Sequence, residues 1–138
     1  MIHEEICTYE VAKLVKEKGF PQHPTESNRE CYYHWDGLRK IHSLCSIKVY
    51  FDDEFRHSDL FRAPTQALLQ RWLREEKKLH IEIIATASGY YWVLNKTNGT
   101  SITDSDVLDR WTNEDSGRFD IYEQALEDAL KYSLENLV

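Results

Sequence analysis

Cys31-x-x-His34 and His42-x-x-Cys45 are the residues whose types and spacing most clearly invite chemistry. Two thiols and two imidazoles are a ligand set for structural zinc, which gathers four such groups in a tetrahedron. The same residues offer a second chemistry. An imidazole beside a thiol can take its proton and leave a thiolate nucleophile. Either use requires the side chains to converge, so the elements that carry them decide the matter.

Asp36-Gly37 lies between the two pairs. An Asp-Gly dipeptide between aromatic and mixed runs predicts a two-residue hairpin turn, because both central residues need positive φ. Strands over 31–35 and 38–42 then set Trp35 opposite Leu38 and Cys31 opposite His42. Side chains alternate along a strand, so Cys31 and His34 fall on opposite faces, as do His42 and Cys45. Four ligands divided between two faces cannot close on one ion, and no metal is expected. Cys31 and His42 remain as a cross-strand pair about 5 Å apart at Cβ. No glycine-rich oxyanion nest or third orienting residue accompanies them. A buried cysteine beside a strand histidine is the plainer reading, with an enzyme of unfamiliar type as the alternative.

The rest of the chain supplies no familiar machinery. His3, His23, His57 and His80 are scattered, and Asp52-Asp53-Glu54 lacks the glycine and spaced acids of a calcium loop. Phosphate-binding loops, dinucleotide fingerprints and nucleophile elbows are absent from a chain with five dispersed glycines. No cofactor is expected.

At 138 residues, 41% hydrophobic and 30% charged, the chain has the length and composition of one globular domain. Its 24 acidic against 17 basic residues give a formal charge of −7, the reverse of a generic nucleic-acid binder. The basic residues are interleaved among the acidic ones, which also argues against a DNA mimic. No apolar run approaches the roughly 20 residues of a membrane span, and the first residues lack the pattern of a signal peptide. A cytoplasmic protein with no membrane contact is the expectation. Three cysteines, an odd number, then read as reduced thiols.

Periodicity predicts three helices. The first, over 9–18, carries Cys7, Val11, Leu14 and Val15 on one face and ends at Gly19 before Pro21. The second, over 64–78, starts with Pro64 in its first turn and buries Leu68, Leu69, Trp72 and Leu73. The last, over 121–137, opens on a capping-box pair, Asp120 with Glu123, and buries Tyr122, Leu126, Ala129, Leu130, Ser133, Leu134 and Leu137. Between them stand the first hairpin, a third strand over 46–51, a charged loop over 52–62, and a second hairpin over 79–96. A turn at Ser88-Gly89 sets Ile83 opposite Leu94 and Ala85 opposite Trp92. A short strand at 100–102 and a helical turn within 103–111 follow. The expected class is α+β: a single domain over 1–138, with a mostly antiparallel sheet of roughly four to six strands packed against three helices that share one face.

Two surfaces stand out for partners. Arg71, Arg74 and Lys78, with Gln70 beside them, form a basic stripe on the second helix. A solvated face paired with Glu75 and Glu76 is the plain reading, and a nucleic-acid-binding face the alternative. Tyr32-Tyr33 and Tyr90-Tyr91-Trp92 place aromatics on both sides of their strands, so one layer of helices leaves some uncovered. Glu82, Ile84, Tyr91 and Val93 make the second face of the second hairpin. Such a patch marks a dimer or protein contact. The candidate partner-contacting residues are therefore Tyr32, Tyr91, Gln70, Arg71 and Arg74.

The run Ala63-Pro64-Thr65-Gln66 leading to Trp72-Leu73-Arg74-Glu75, with 9–20 and the closing aliphatic helix over 122–137, resembles a group of small proteins encoded by gut bacteria, Bacteroidota-like, and their phages. The resemblance covers nearly the whole chain and brings no established activity. It implies an accessory factor of phage or mobile-element origin. With the missing catalytic motifs, this points to a non-catalytic interaction protein that binds a protein partner or itself.

Overall fold

The computed structural model describes residues 4–22, 31–36, 41–46, 60–109 and 118–138. They form an α+β protein whose strands make two three-stranded antiparallel sheets, where the sequence predicts one. The chain falls into two compact units, Ile6–Thr65 and Gln66–Val138, the latter joined by the residues up to Glu5.

In the first unit, α1 spans Tyr9–Glu17. Thr8 caps it, its hydroxyl accepting from the Val11 N–H at 3.4 Å. At the other end Phe20 N–H donates to Val15 and Gly19 N–H to Lys16, with Gly19 at φ +90°. This is the Schellman closure, and the buried Phe20 and Val15 complete its apolar contact. Ala12 takes the place expected for Leu14 on the inner face, beside Cys7, Val11 and Val15.

Strands β1 (Cys31–Asp36), β2 (Ile41–Ser46) and β3 (Leu60–Ala63) lie in the order β2-β1-β3. β3 falls mostly within the predicted loop at 52–62. Its four residues are too few for a pattern after the charged run before them, and pairing with β1 and packing against α1 make it a strand. Ser46 closes β2, and the remainder of the strand predicted at 46–51 lies outside the described residues. Arg62 fixes β3 further. Its backbone N–H donates to Gln22 Oε1 at 2.9 Å, its guanidinium to the Pro21 carbonyl at 3.0 Å, and it lies over the Phe20 ring.

In the second unit, α2 spans Gln66–Glu76, β4 Leu79–Thr86, β5 Gly89–Lys96, β6 Ser101–Asp104, α3 Ser105–Asp109 and α4 Tyr122–Asn136. The sheet order is β4-β5-β6, and α2 and α4 pack on it. Pro64 precedes α2 and accepts from Cys7 N–H, so it does not occupy the helix's first turn. The buried side of α2 is Gln66, Leu69 and Leu73, while Leu68 is exposed and Trp72 only half-buried. The predicted stripe is therefore rotated. Gln66 enters the interior because its amide donates to the Glu123 carbonyl at 2.9 Å and to Glu127 Oε2 at 2.8 Å.

The second hairpin turns at Ala87-Ser88, pairing Thr86 with Gly89, Ile83 with Trp92 and Ile81 with Leu94. The predicted register is off by two residues. A two-residue slip preserves the faces, so Trp92 and Leu94 are buried as expected, whereas Ala85 is exposed. Trp92 is the largest fully buried side chain, and its indole N–H donates to Asp128 Oδ2 at 2.8 Å.

α4 buries Ala125, Leu126, Ala129, Leu130, Ser133 and Leu134, but leaves Tyr122 and Leu137 exposed. Ile121 occupies its cap position without a side-chain bond, so the Asp120–Glu123 box does not form. The helical turn expected in 103–111 is α3, where Asp104 Oδ1 accepts from Val107 N–H at 2.8 Å.

Gly89 holds φ +125°, and a Cβ built on it would lie 2.6 Å from the Phe119 carbonyl oxygen. That carbonyl accepts from Tyr90 N–H at 2.7 Å, closing a two-way bridge to β5. Gly89→Ala is expected to cost about 1–3 kcal/mol through backbone strain and displacement of Phe119. Chemical denaturation of the variant would measure the loss.

Candidate functional site

The four residues with metal and nucleophile chemistry occupy one antiparallel ladder. β1 and β2 pair Cys31 with Ser46, Tyr32 with Cys45, His34 with Ser43 and Trp35 with His42. Asp36 pairs with Ile41, so four residues separate the paired strand ends where the sequence predicts a two-residue turn at Asp36-Gly37. Longer closure moves His42 to the turn end of the ladder and leaves Cys31 at the other. The expected Cys31–His42 cross-strand pair is therefore absent. Cys31 and His34 lie three apart in one continuous strand.

The residues singled out for partner contact are dispersed. Tyr32 is 1% exposed, and its hydroxyl donates to the Gln22 carbonyl at 2.7 Å. It packs inside its own unit. Tyr33 is half-buried and donates to the Cys7 carbonyl at 2.7 Å. Tyr9 stands edge-on to Tyr33 and Phe61, and burial, with a smaller contribution from the Glu17 carboxylate, raises its hydroxyl above the usual phenol value.

On α2, Arg71 bonds Glu75 at 2.9 Å in an exposed i,i+4 pair, Arg74 is exposed and Gln70 half-buried. Lys78 lies beyond the helix at φ 57°, its ammonium turned back to the Glu75 carbonyl, and Lys77 covers the Trp72 ring. The predicted basic stripe is thus cut short. Arg71 and Lys78 are engaged locally, as exposed helix charges of this kind usually are.

A more coherent surface lies on the face of β4-β5-β6 turned away from Trp92 and Leu94. Ile84 pairs with Tyr91 and Glu82 with Val93, and Ile84, Tyr91 and Val93 are all half-buried. The Arg118 guanidinium stacks over Tyr91 at 4.3 Å and bonds Asp106 Oδ2 at 2.9 Å. Asp106 Oδ1 and Arg118 Nη1 are buried without hydrogen-bond partners. Each such atom costs about 1–3 kcal/mol of desolvation, so the pair holds the arginine over the ring at an energetic expense. Sequence reading found Tyr91 but missed Arg118 and Asp106, which lie in segments with no periodicity to reveal them. An aromatic ring, a planar cation and two aliphatic side chains suit an apolar-rimmed protein surface.

No group of three or more histidine, cysteine or acidic residues is placed to hold a metal among the described residues. No family model, curated protein or solved structure matches the chain.

Proposed function

We propose that the chain acts by binding a macromolecular partner, another protein or a second copy of itself, and not by catalysis. The row of Ile84, Tyr91 and Val93, half-buried on the sheet face opposite Trp92, carries this reading. Partly accessible apolar groups gathered on one face are what a protein contact uses. The resemblance of the 63–75 and 122–137 segments adds the context of a cytoplasmic accessory factor of phage or mobile-element origin. No described helix is long and apolar enough to cross a membrane.

Val93→Glu places a charge in the middle of the row. We expect it to abolish capture by a protein from the native host while the circular dichroism spectrum stays that of the parent, the melting temperature falling because Glu82 and Asp104 flank position 93. Association that is indifferent to Val93→Glu would remove this face from the reading. A salt-steepened shift with DNA or RNA, lost in an Arg71→Ala, Arg74→Ala double variant, would replace it with a nucleic-acid regulator. Turnover abolished by Cys31→Ser in a folded protein would restore an enzyme.

A further inference from the structure

β4 forms one edge of its sheet, and among the described residues it pairs only with β5. It spans eight residues and carries none of the usual edge protections of lysine, proline or bulge. The opposite edge, β6, is short and loses register at a bulge near Leu94 and Asn95.

The backbone fixes which groups β4 offers. Lys78 accepts from Thr97 N–H, and Thr86 and Gly89 flank the two-residue turn, so the even-numbered residues bond inward to β5. The opposite partners agree. Tyr90, Trp92 and Lys96, paired with Ala85, Ile83 and Leu79, donate away from β4, to Phe119, Ser105 and Thr100. Leu79, Ile81, Ile83 and Ala85 therefore present their N–H and C=O groups to the open side.

We propose that this edge receives a second copy of the chain, β4 against β4, antiparallel about a twofold axis at Ile81. The proposal rests on the reading that the chain works by association, and it names the surface. Backbone parity admits only registers that pair outward-facing residues with each other. Among these, a twofold at Glu82 would oppose two carboxylates. A twofold at Ile81 pairs Ile81 with itself and Leu79 with Ile83, making about six intermolecular backbone bonds. It also sets His80 opposite Glu82 twice, in the closely spaced positions between those bonded pairs. Within the chain these two residues face Asn95 and Val93 across the ladder, and neither makes an ion pair among the described residues. The second copy supplies each with its complement, and it extends the apolar row Leu79, Ile81, Ile83 on the other face. Such an isologous contact closes on itself and stops at two copies.

Sedimentation equilibrium over a micromolar concentration series tests it. The parent is expected to dimerise reversibly, and Glu82→Lys to raise the dissociation constant by about tenfold. The double variant His80→Glu, Glu82→Lys exchanges the charges and is expected to restore dimerisation. Of the backbone groups Ile83→Pro removes one outward N–H and none that bonds β5, so it is expected to abolish the dimer while leaving the β4–β5 ladder and the circular dichroism spectrum intact. A monomeric parent, or a dimer indifferent to Glu82→Lys and Ile83→Pro, overturns the edge contact. A dimer lost in Val93→Glu but kept in these variants would leave the association reading standing and move it to the sheet face.

Discussion

Replacing Trp92 with alanine is expected to destabilise the Gln66–Val138 unit by about 3–5 kcal/mol, a large part of a typical domain's stability. Trp92 is 1% exposed, stacks at 5.3 Å on Tyr132 and donates its indole N–H to Asp128. Its backbone N–H also donates to Ser105 Oγ, so the residue ties β5 to α3 as well as to α4. The variant removes a large buried volume and leaves the Asp128 carboxylate without its donor. Trp72→Ala supplies the internal comparison. Trp72 is half-buried, with Lys77 over its ring, and its loss is expected to cost about 1–2 kcal/mol. Thermal unfolding of both variants should show the larger shift at Trp92. The reverse order would mean that α2 is rotated to bury Trp72.

The second large effect is expected at Tyr32, in the Ile6–Thr65 unit. Tyr32→Ala should cost about 3–5 kcal/mol, because the ring is fully buried in the central strand of its sheet. Tyr32→Phe keeps the ring and removes only the bond to the Gln22 carbonyl, at about 1 kcal/mol. That carbonyl belongs to the residue whose side chain accepts from Arg62. The phenylalanine variant should therefore leave the far-ultraviolet spectrum unchanged while lowering the denaturation midpoint slightly. Equal losses in the two variants would show that the hydroxyl, and not the ring, holds the strand.

Local rules read α1 well, because its cap, apolar face and Gly19 closure all depend on neighbours within a few residues. They failed at α2 for a physical reason. Gln66 is buried by partners on α4, nearly sixty residues away, and nothing near it in sequence announces them. β3 was missed because it follows a charged run and is only four residues long, and what secures it, pairing with β1 and the Arg62 bond to the Pro21 carbonyl, is distant in sequence. In the second hairpin the alternation carried the face assignment, and a turn misplaced by one residue, which slips the register by two, did not harm it. In the first hairpin the spacing between the strands set the partners, and pairing Asp36 with Ile41 in place of the predicted closure dissolved the Cys31–His42 pair. Of the surface candidates, Tyr91 was legible by alternation, whereas Arg118 and Asp106 meet it through chain geometry alone.

Glu5 accepts from Gln66 N–H at 2.9 Å, while Ile6 bridges Thr65 and Cys7 N–H donates to Pro64 at 3.0 Å. The Ile6–Thr65 unit thus enters and leaves at one point, in the manner of an insertion within the other unit's chain. This sets an order during synthesis. All of Ile6–Thr65 emerges from the ribosome before α2 exists, whereas Glu5 must wait for Gln66 to give its carbonyl a partner. A residue translated ahead of that whole unit thus finds its place only after it.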